Sequence, residues 1–332
     1  MRRRVLLPAF ALLVAAQASA ATRIHLSLIL GTASEWYQGA DKWKEVVEKR
    51  TEGRYTVRLV PGAAFSSHSQ SGELIDVQCG NLEVSLESTI LLATLDKRWA
   101  VFSFPLLFPD HKTANAVCDG PVGQQMLKSL EDKGLVGLAY GVNGFRQVTN
   151  NLRPIRTPDD LRGLKIRIPQ GLPARIFTHF GASAHHMNFG DLFIALRTGD
   201  MHGQENPLSV IAAARLSRVQ NHVTLWDYVY DPIVLCVNKR FWDGLPEADQ
   251  DVLREAAREA MNYERKLVAK ADAELPKHLA EQRMAVARLT AEERAVFRKR
   301  REALRPYFEQ MAGKALLAEF EQAVRAAEEA TE

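Results

Sequence analysis

Pro169 closes a five-residue alternation, Leu164-Lys-Ile-Arg-Ile168, that opens directly after Gly163. Successive strand side chains point to opposite faces, so Leu164, Ile166 and Ile168 share one face, and Lys165 and Arg167 share the other. The aliphatic face requires a layer of helices, and proline cannot continue the strand. Arg167 therefore stands near the end of a strand, looking outward from the sheet, with a planar fork of donors matched to a carboxylate. Spacing alone leaves two roles open for it: a clamp on a ligand carboxylate, or a surface pair with Asp159 or Asp160.

The rest of the chain supplies alternating strands and helices. Thr22 to Ile29 and Tyr55 to Val60 alternate as strands, and between them Trp36 to Arg50 carries Ala40, Trp43, Val46 and Val47 at helical spacing. Ser71 to Gly80 reads as a helix with a glycine stop and Leu82 to Leu86 as a strand, which puts Glu87-Ser88-Thr89 at a strand's carboxyl end, where open α/β sheets contact ligands. Gly134 to Tyr140 is an apolar strand, and Gly141 to Asn150 a first crossing between two regions. Helical spacing returns from Pro173 to Phe180 and from Phe189 to Leu196, with Phe189 at the start of a core-facing stripe. Asn206-Pro207 has the pattern of an N-cap and first helical residue, an anion-favouring end.

Val223 to Tyr230 reads as one strand with Trp226, Tyr228 and Tyr230 on a single face, then Asp231-Pro232 as a second crossing and Ile233 to Asn238 as a returning strand. Glu247 to about Leu275 is a long helix that Pro276 should kink or end. Thr290-Ala-Glu-Glu293 is a capping box, and Pro306 should bend or divide the helix it opens. The fold class is α/β.

The N-terminus has the form of a secretory signal: Arg2, Arg3 and Arg4, an apolar run from Val5 to Ala16, then Ala18-Ser19-Ala20, with cleavage expected near Ala20-Ala21. The chain has 43 basic and 40 acidic residues, and the first twenty residues hold three arginines and no acid, which leaves 40 of each. That balance argues against a nucleic-acid surface. Cys79, Cys118 and Cys236 show no metal spacing and are expected to be buried free thiols. His179, His185, His186 and His202 have no ligand spacing either, so neither a metal nor a cofactor is expected. No phosphate-cradling loop, dinucleotide fingerprint, serine elbow or zinc-protease helix is present, and the expectation is a binding protein, not an enzyme.

A resemblance sharpens this. Arg146 with Asn150, the run Pro154-Ile-Arg-Thr-Pro-Asp-Asp-Leu-Arg-Gly-Leu-Lys-Ile-Arg-Ile-Pro169, Gly181-Ala-Ser183, Met187-Asn-Phe189, Ala195-Leu-Arg-Thr-Gly199 and Gly203-Gln-Glu-Asn-Pro207 resemble the DctP family. These are the periplasmic solute-binding subunits of tripartite ATP-independent periplasmic (TRAP) transporters. The likeness extends over nearly the whole mature chain, including Val46 to Gly53 and Phe104 to Phe108. His202 departs from it, standing where an aspartate usually precedes Gly-Gln-Glu-Asn-Pro.

The resemblance implies a two-domain periplasmic binding protein of the type II-like, Venus-flytrap kind with a long helix bridging the domains. Its parts would be residues 21–143 with 233–275 as domain I and 144–232 with 276–325 as domain II. It implies ligand contacts at Arg167, Arg146 and Asn206, an aromatic flank at Phe189, and approaches from Glu35, Trp36, Phe65, Glu73 and Glu87, with Tyr228 or Tyr230 beside the cleft. The implied function is capture of a small organic acid in the periplasm and delivery to a membrane permease, by a protein that is soluble and monomeric. Two alternatives remain: a sensor binding the same acid, or a periplasmic enzyme using Glu73 or Glu87 as base.

Overall fold

In the computed structural model, residues 21–169 and 171–330 are described. Their strands form one continuous hydrogen-bonded system in two segments joined through a single long strand. The first segment begins with β1 (Thr22–Leu28), α1 (Glu35–Arg50) and β2 (Tyr55–Pro61), then α2 (Gln70–Cys79), β3 (Val84–Ser88) and α3 (Thr89–Leu95). Strand β1 pairs in parallel with both β2 and β3. Ser34 caps α1 by accepting the Tyr37 amide, and Ser69 caps α2 by accepting that of Gly72. After α4 (His111–Asp119) and α5 (Pro121–Ser129), the sixteen-residue β4 (Leu135–Asn150) crosses into the second segment with every residue buried.

The second segment holds β5 (Lys165–Ile168), α6 (Gly171–His179), β6 (Ser183–His186), α7 (Phe189–Thr198), β7 (Gly203–Pro207), α8 (Leu208–Ala213) and β8 (His222–Leu225). Strand β9 (Tyr230–Asn238) then returns to the first segment, between β3 and β4 and antiparallel to both. The carboxyl-terminal half of β4 pairs with β7 and β8, while β5 lies in parallel between β7 and β6. The β4–β9 ladder shifts register between Gly137 and Tyr140 and again between Val142 and Gly144. Gly144 sits at φ 122°, a backbone conformation closed to residues with a Cβ.

After the short α9 (Lys239–Asp243), α10 (Glu247–Glu281) runs for 35 residues and packs on α1 and β4 at one end and on α8 and β10 (Ala285–Arg288) at the other. Pro276 lies inside this helix, which continues to Glu281 and does not stop near Leu275. Where α10 passes α1, a Cβ at Gly39 would come within 2.8 Å of the Glu264 Cβ, so glycine is what admits the close approach. The capping box at Thr290 opens α11 (Ala291–Arg301), whose Phe297 packs on Phe180 and Trp226. A short turn at Glu302–Leu304 separates it from α12 (Arg305–Ala312), which carries Pro306 in its first turn, and α13 (Lys314–Glu329) follows. Phe308 and Phe320 of these last helices pack edge-on against Phe104 and Phe102 of the first segment.

Three expectations are corrected here. Asn206 does not cap a helix: it lies within β7, and α8 begins at Leu208 after Pro207. Val223 to Tyr230 is not one strand, because the chain leaves the sheet after Leu225, passes Asp227 at φ 50° and rejoins it at Tyr230. Cys79 is exposed, whereas Cys118 and Cys236 are buried; all three are unbridged.

Candidate functional site

A cleft between the two segments has an empty volume of about 350 Å3, counting its open mouth. The first segment contributes Leu30 after β1, Trp36 of α1, Gln70 of α2, Ser88 of β3 and Leu91 of α3. From beyond the crossing come Arg146, Arg167, Phe189, Asn206 and Val210. The site thus lies where the strand order passes from one segment to the other, the usual place for ligands in open α/β sheets.

Arg167 is placed by β5, whose aliphatic face, Leu164, Ile166 and Ile168, is in the core. It does not reach the outer surface and pairs with neither Asp159 nor Asp160: the side chain is 1% exposed and turned into the cleft. Its Nε donates to the Met187 carbonyl at 3.0 Å, and the Phe189 ring lies 5.8 Å from its guanidinium carbon. Its Nη2 is buried with no hydrogen-bond partner among the described residues. Burial pulls the guanidinium down to about 10, with Glu205 opposing and Arg146 adding to the effect, so Arg167 is still charged at neutral pH. A buried, unpartnered guanidinium donor is costly in isolation and is suited to an incoming carboxylate.

Arg146, also buried, is in a different state. Its Nε donates to Glu205 Oε2 at 2.5 Å and its Nη1 to Asp231 Oδ2 at 2.6 Å. Nη2 donates to the Glu205 carboxylate at 2.8 Å, the Glu205 carbonyl at 3.0 Å and Asn206 Oδ1 at 3.1 Å. Burial works against its charge, but Glu205 and Asp231 outweigh burial and raise it. Asp231 is the centre of this network, also accepting from Ser88, Thr89 and Asn143. Asn143 in turn accepts from the Trp36 indole at 3.2 Å, which ties the first segment to the crossing. Asn206 lines the cleft with its oxygen held by Arg146 and its amide nitrogen donating to Gln204 at 2.5 Å.

The other candidates divide. Trp36 and Phe189 line the cleft. Tyr228 and Tyr230 do not: Tyr228 donates to Glu205 at 2.7 Å and packs on Trp226 and Phe177, while Tyr230 donates to Asn115 and packs among Phe108, His111 and Phe145. Their even spacing does not place them together, because the chain leaves the sheet between Leu225 and Tyr230. Glu73 and Glu87 are absent from the lining too. Glu87 alternates with Ser88 along β3, so when Ser88 meets the cleft, Glu87 turns to the opposite face. Both carboxyls are buried, each with one oxygen unpartnered among the described residues. Desolvation raises both, and Glu73 adds to the rise at Glu87, so they favour the neutral form. Phe65 is half exposed against His25, and Glu35, half-buried at the start of α1, lies outside the lining.

His202 accepts the Lys165 amide through Nδ1, between β5 and β7, and is also outside the lining. Among the described residues no group of three or more His, Cys, Asp or Glu side chains is arranged to hold a metal ion. The residues missed by the sequence reading are Glu205, Asp231, Asn143 and Gln70. Glu205 lies inside Gly203-Gln-Glu-Asn-Pro207, a polar run with no apolar alternation to mark it as the wholly buried strand in which an acid needs a partner.

Comparison with known proteins agrees with this architecture. The DctP family model, described as bacterial extracellular solute-binding protein, family 7, matches residues 26–314. A solute-binding protein of Verminephrobacter eiseniae is 38% identical over 260 residues, covering 77% of each chain. The C4-dicarboxylate-binding periplasmic protein DctP of Rhodobacter capsulatus is 34% identical over 284 residues, covering 83% of this chain and 82% of that one. A crystal structure of a TRAP periplasmic solute-binding protein from Ralstonia eutropha with bound (S)-2-acetolactate superposes with a TM-score of 0.88 at 35% identity, covering 92% of this chain and 99% of that one.

Proposed function

Since the chain belongs to the DctP family of bacterial extracellular solute-binding proteins, whose members are the periplasmic receptors of TRAP transporters, we propose that it captures a small organic acid in the cleft at Arg167 and passes it to a membrane permease. The observation that carries this reading is the buried guanidinium of Arg167, with Nη2 unpartnered among the described residues. A ligand carboxylate supplies the missing acceptor. Arg146 holds the floor of the cleft through Glu205 and Asp231 and orients Asn206, so its part is positioning. The neighbouring proteins bind, by name, a C4-dicarboxylate in one case and acetolactate in the other, and both are carboxylates.

Residues 21–143 with 233–275 and 144–232 with 276–325 are taken as the two moving bodies, except that α12 and α13 ride with the first, on which they pack. Closure about β4 near Gly144 and about β9 near Asp231 excludes water and strengthens the Arg167 contact. The closed form, a monomer in the periplasm, is what the permease reads. The signal that would send it there, residues 1–20 ending near Ala20-Ala21, lies outside the described residues.

Thermal unfolding of the mature protein in the presence of organic acids, sugar acids and neutral sugars tests the reading. A ligand at a hundred times its Kd adds about 2.7 kcal/mol. Shifts confined to carboxylates support it, and shifts with neutral solutes alone overturn it.

A further inference from the structure

The cleft is lined by two guanidinium groups, of which Arg146 is already paired with two carboxylates and Arg167 has no carboxylate partner among the described residues. Arg146 is closed in by Glu205 and Asp231, so the buried set of Arg146, Arg167, Glu205 and Asp231 is balanced in formal charge before any ligand arrives. A first carboxylate gains the Arg167 donor. A second would enter with no further cation among the described lining residues, and an unpaired buried carboxylate is strongly disfavoured.

The neutral polar groups are committed as well. Ser88 donates to Asp231 and accepts the Ile90 amide, and Asn143 spans Trp36 and Asp231. Both ends of the Asn206 amide are engaged by Arg146 and Gln204. Gln70, half-buried at the start of α2, makes no side-chain hydrogen bond among the described residues, whereas Asn143 and Asn206 each keep a single amide hydrogen to spare. What remains of the wall is apolar, chiefly Leu30, Leu91, Val210 and Phe189. The enclosed space that a water-sized sphere can occupy is only about 20 Å3, so the walls stand close together and leave room for a compact ligand at most.

Building on the organic-acid reading above, we propose that the ligand is a compact monocarboxylate with a largely apolar body and at most one or two hydroxyl or oxo groups, and that this cleft rejects both dicarboxylates and polyhydroxylated sugar acids. The carboxylate meets Arg167 Nη2, the oxygen substituent faces Gln70, and the hydrocarbon part fills the wall of Leu30, Leu91 and Val210.

Calorimetric titration of the mature protein with 2-hydroxy-3-methylbutanoate, succinate and gluconate at pH 7.5 tests it. The expected result is that the first binds at least about a hundredfold more tightly than the other two, the order of discrimination that unpaired buried polar groups produce. Gln70→Arg, which adds a second cation without entering the core, should then improve succinate at least about tenfold relative to wild type. Succinate or gluconate binding to the wild type as tightly as the branched acid overturns the inference and leaves the organic-acid reading standing. If no acid binds while a neutral sugar does, both fall. The wild-type panel decides the matter even if the Gln70→Arg protein does not fold.

Discussion

Arg146 Nη1 and Asp231 Oδ2 meet at 2.6 Å with both side chains almost wholly out of solvent, joining β4 to β9 at the place where the chain crosses between its two segments. The pair makes Arg146 a structural cation, whereas Arg167, in the same cleft, has a donor with no partner among the described residues.

The two arginines should therefore respond oppositely. Arg146→Ala or Asp231→Asn breaks a buried pair and should lower the stability of the empty protein by about 3–5 kcal/mol. Arg167→Ala removes a buried cation lacking a full set of partners, and the empty protein should be at least as stable as wild type. Denaturant unfolding of the three variants checks this, and equal losses from both arginines would contradict it.

Ligand affinity should follow the reverse order. Arg167→Ala should weaken carboxylate binding by about 2–5 kcal/mol, roughly 30- to 5,000-fold. Arg167→Lys should recover only part of it, because a point charge does not reproduce a planar fork. Calorimetry on folded variants gives the measurement, and wild-type affinity in Arg167→Ala would remove Arg167 from the site.

A pH dependence follows from Glu264, on the face of α10 that meets β4. It accepts the Val142 amide at 2.9 Å, and burial pushes its carboxyl up to about 8. A carboxyl raised in the folded state is protonated there while the unfolded chain is already ionised. Stability is therefore highest below about pH 4.5 for this group, falls by about 1.4 kcal/mol per pH unit above that, and levels off beyond about pH 8. Glu264→Gln keeps an acceptor for Val142 and should flatten the profile, raising Tm most at pH 8. Unfolding measured from pH 5 to 8 for both proteins would show it, and parallel profiles would refute it.

The thiols offer a count. Cys79 is exposed, whereas burial raises Cys118 to about 12 and raises Cys236 as well. An aromatic disulfide reagent should modify one thiol in the native protein and three after denaturation. Rapid modification of a second thiol in the folded state would contradict the placement of Cys118 or Cys236.

Much of the fold is readable in order along the chain. Local alternation locates β5 and with it Arg167, helical spacing locates α1 with Trp36 and α7 with Phe189, and the family motifs single out Asn206, though as a helix cap and not as the part of β7 that it is. The partners of Arg146 are not readable this way. Glu205 and Asp231 lie 59 and 85 residues further along, and only the β4–β7 and β4–β9 pairings bring them together. The same limit misplaced Glu73 and Glu87. Local sequence puts Glu87 at a strand end, but which face of β3 turns to the cleft depends on α2 covering the other.

Because β4 supplies strands to both segments without a break, and β9 and α10 run back alongside it, no single cut of the polypeptide releases either segment intact. A gene fragment ending at the crossing would leave one sheet without its central strand and an unpaired edge exposed to neighbouring chains. The two segments are anatomically distinct yet form one heritable unit, which natural shuffling or laboratory grafting must exchange whole.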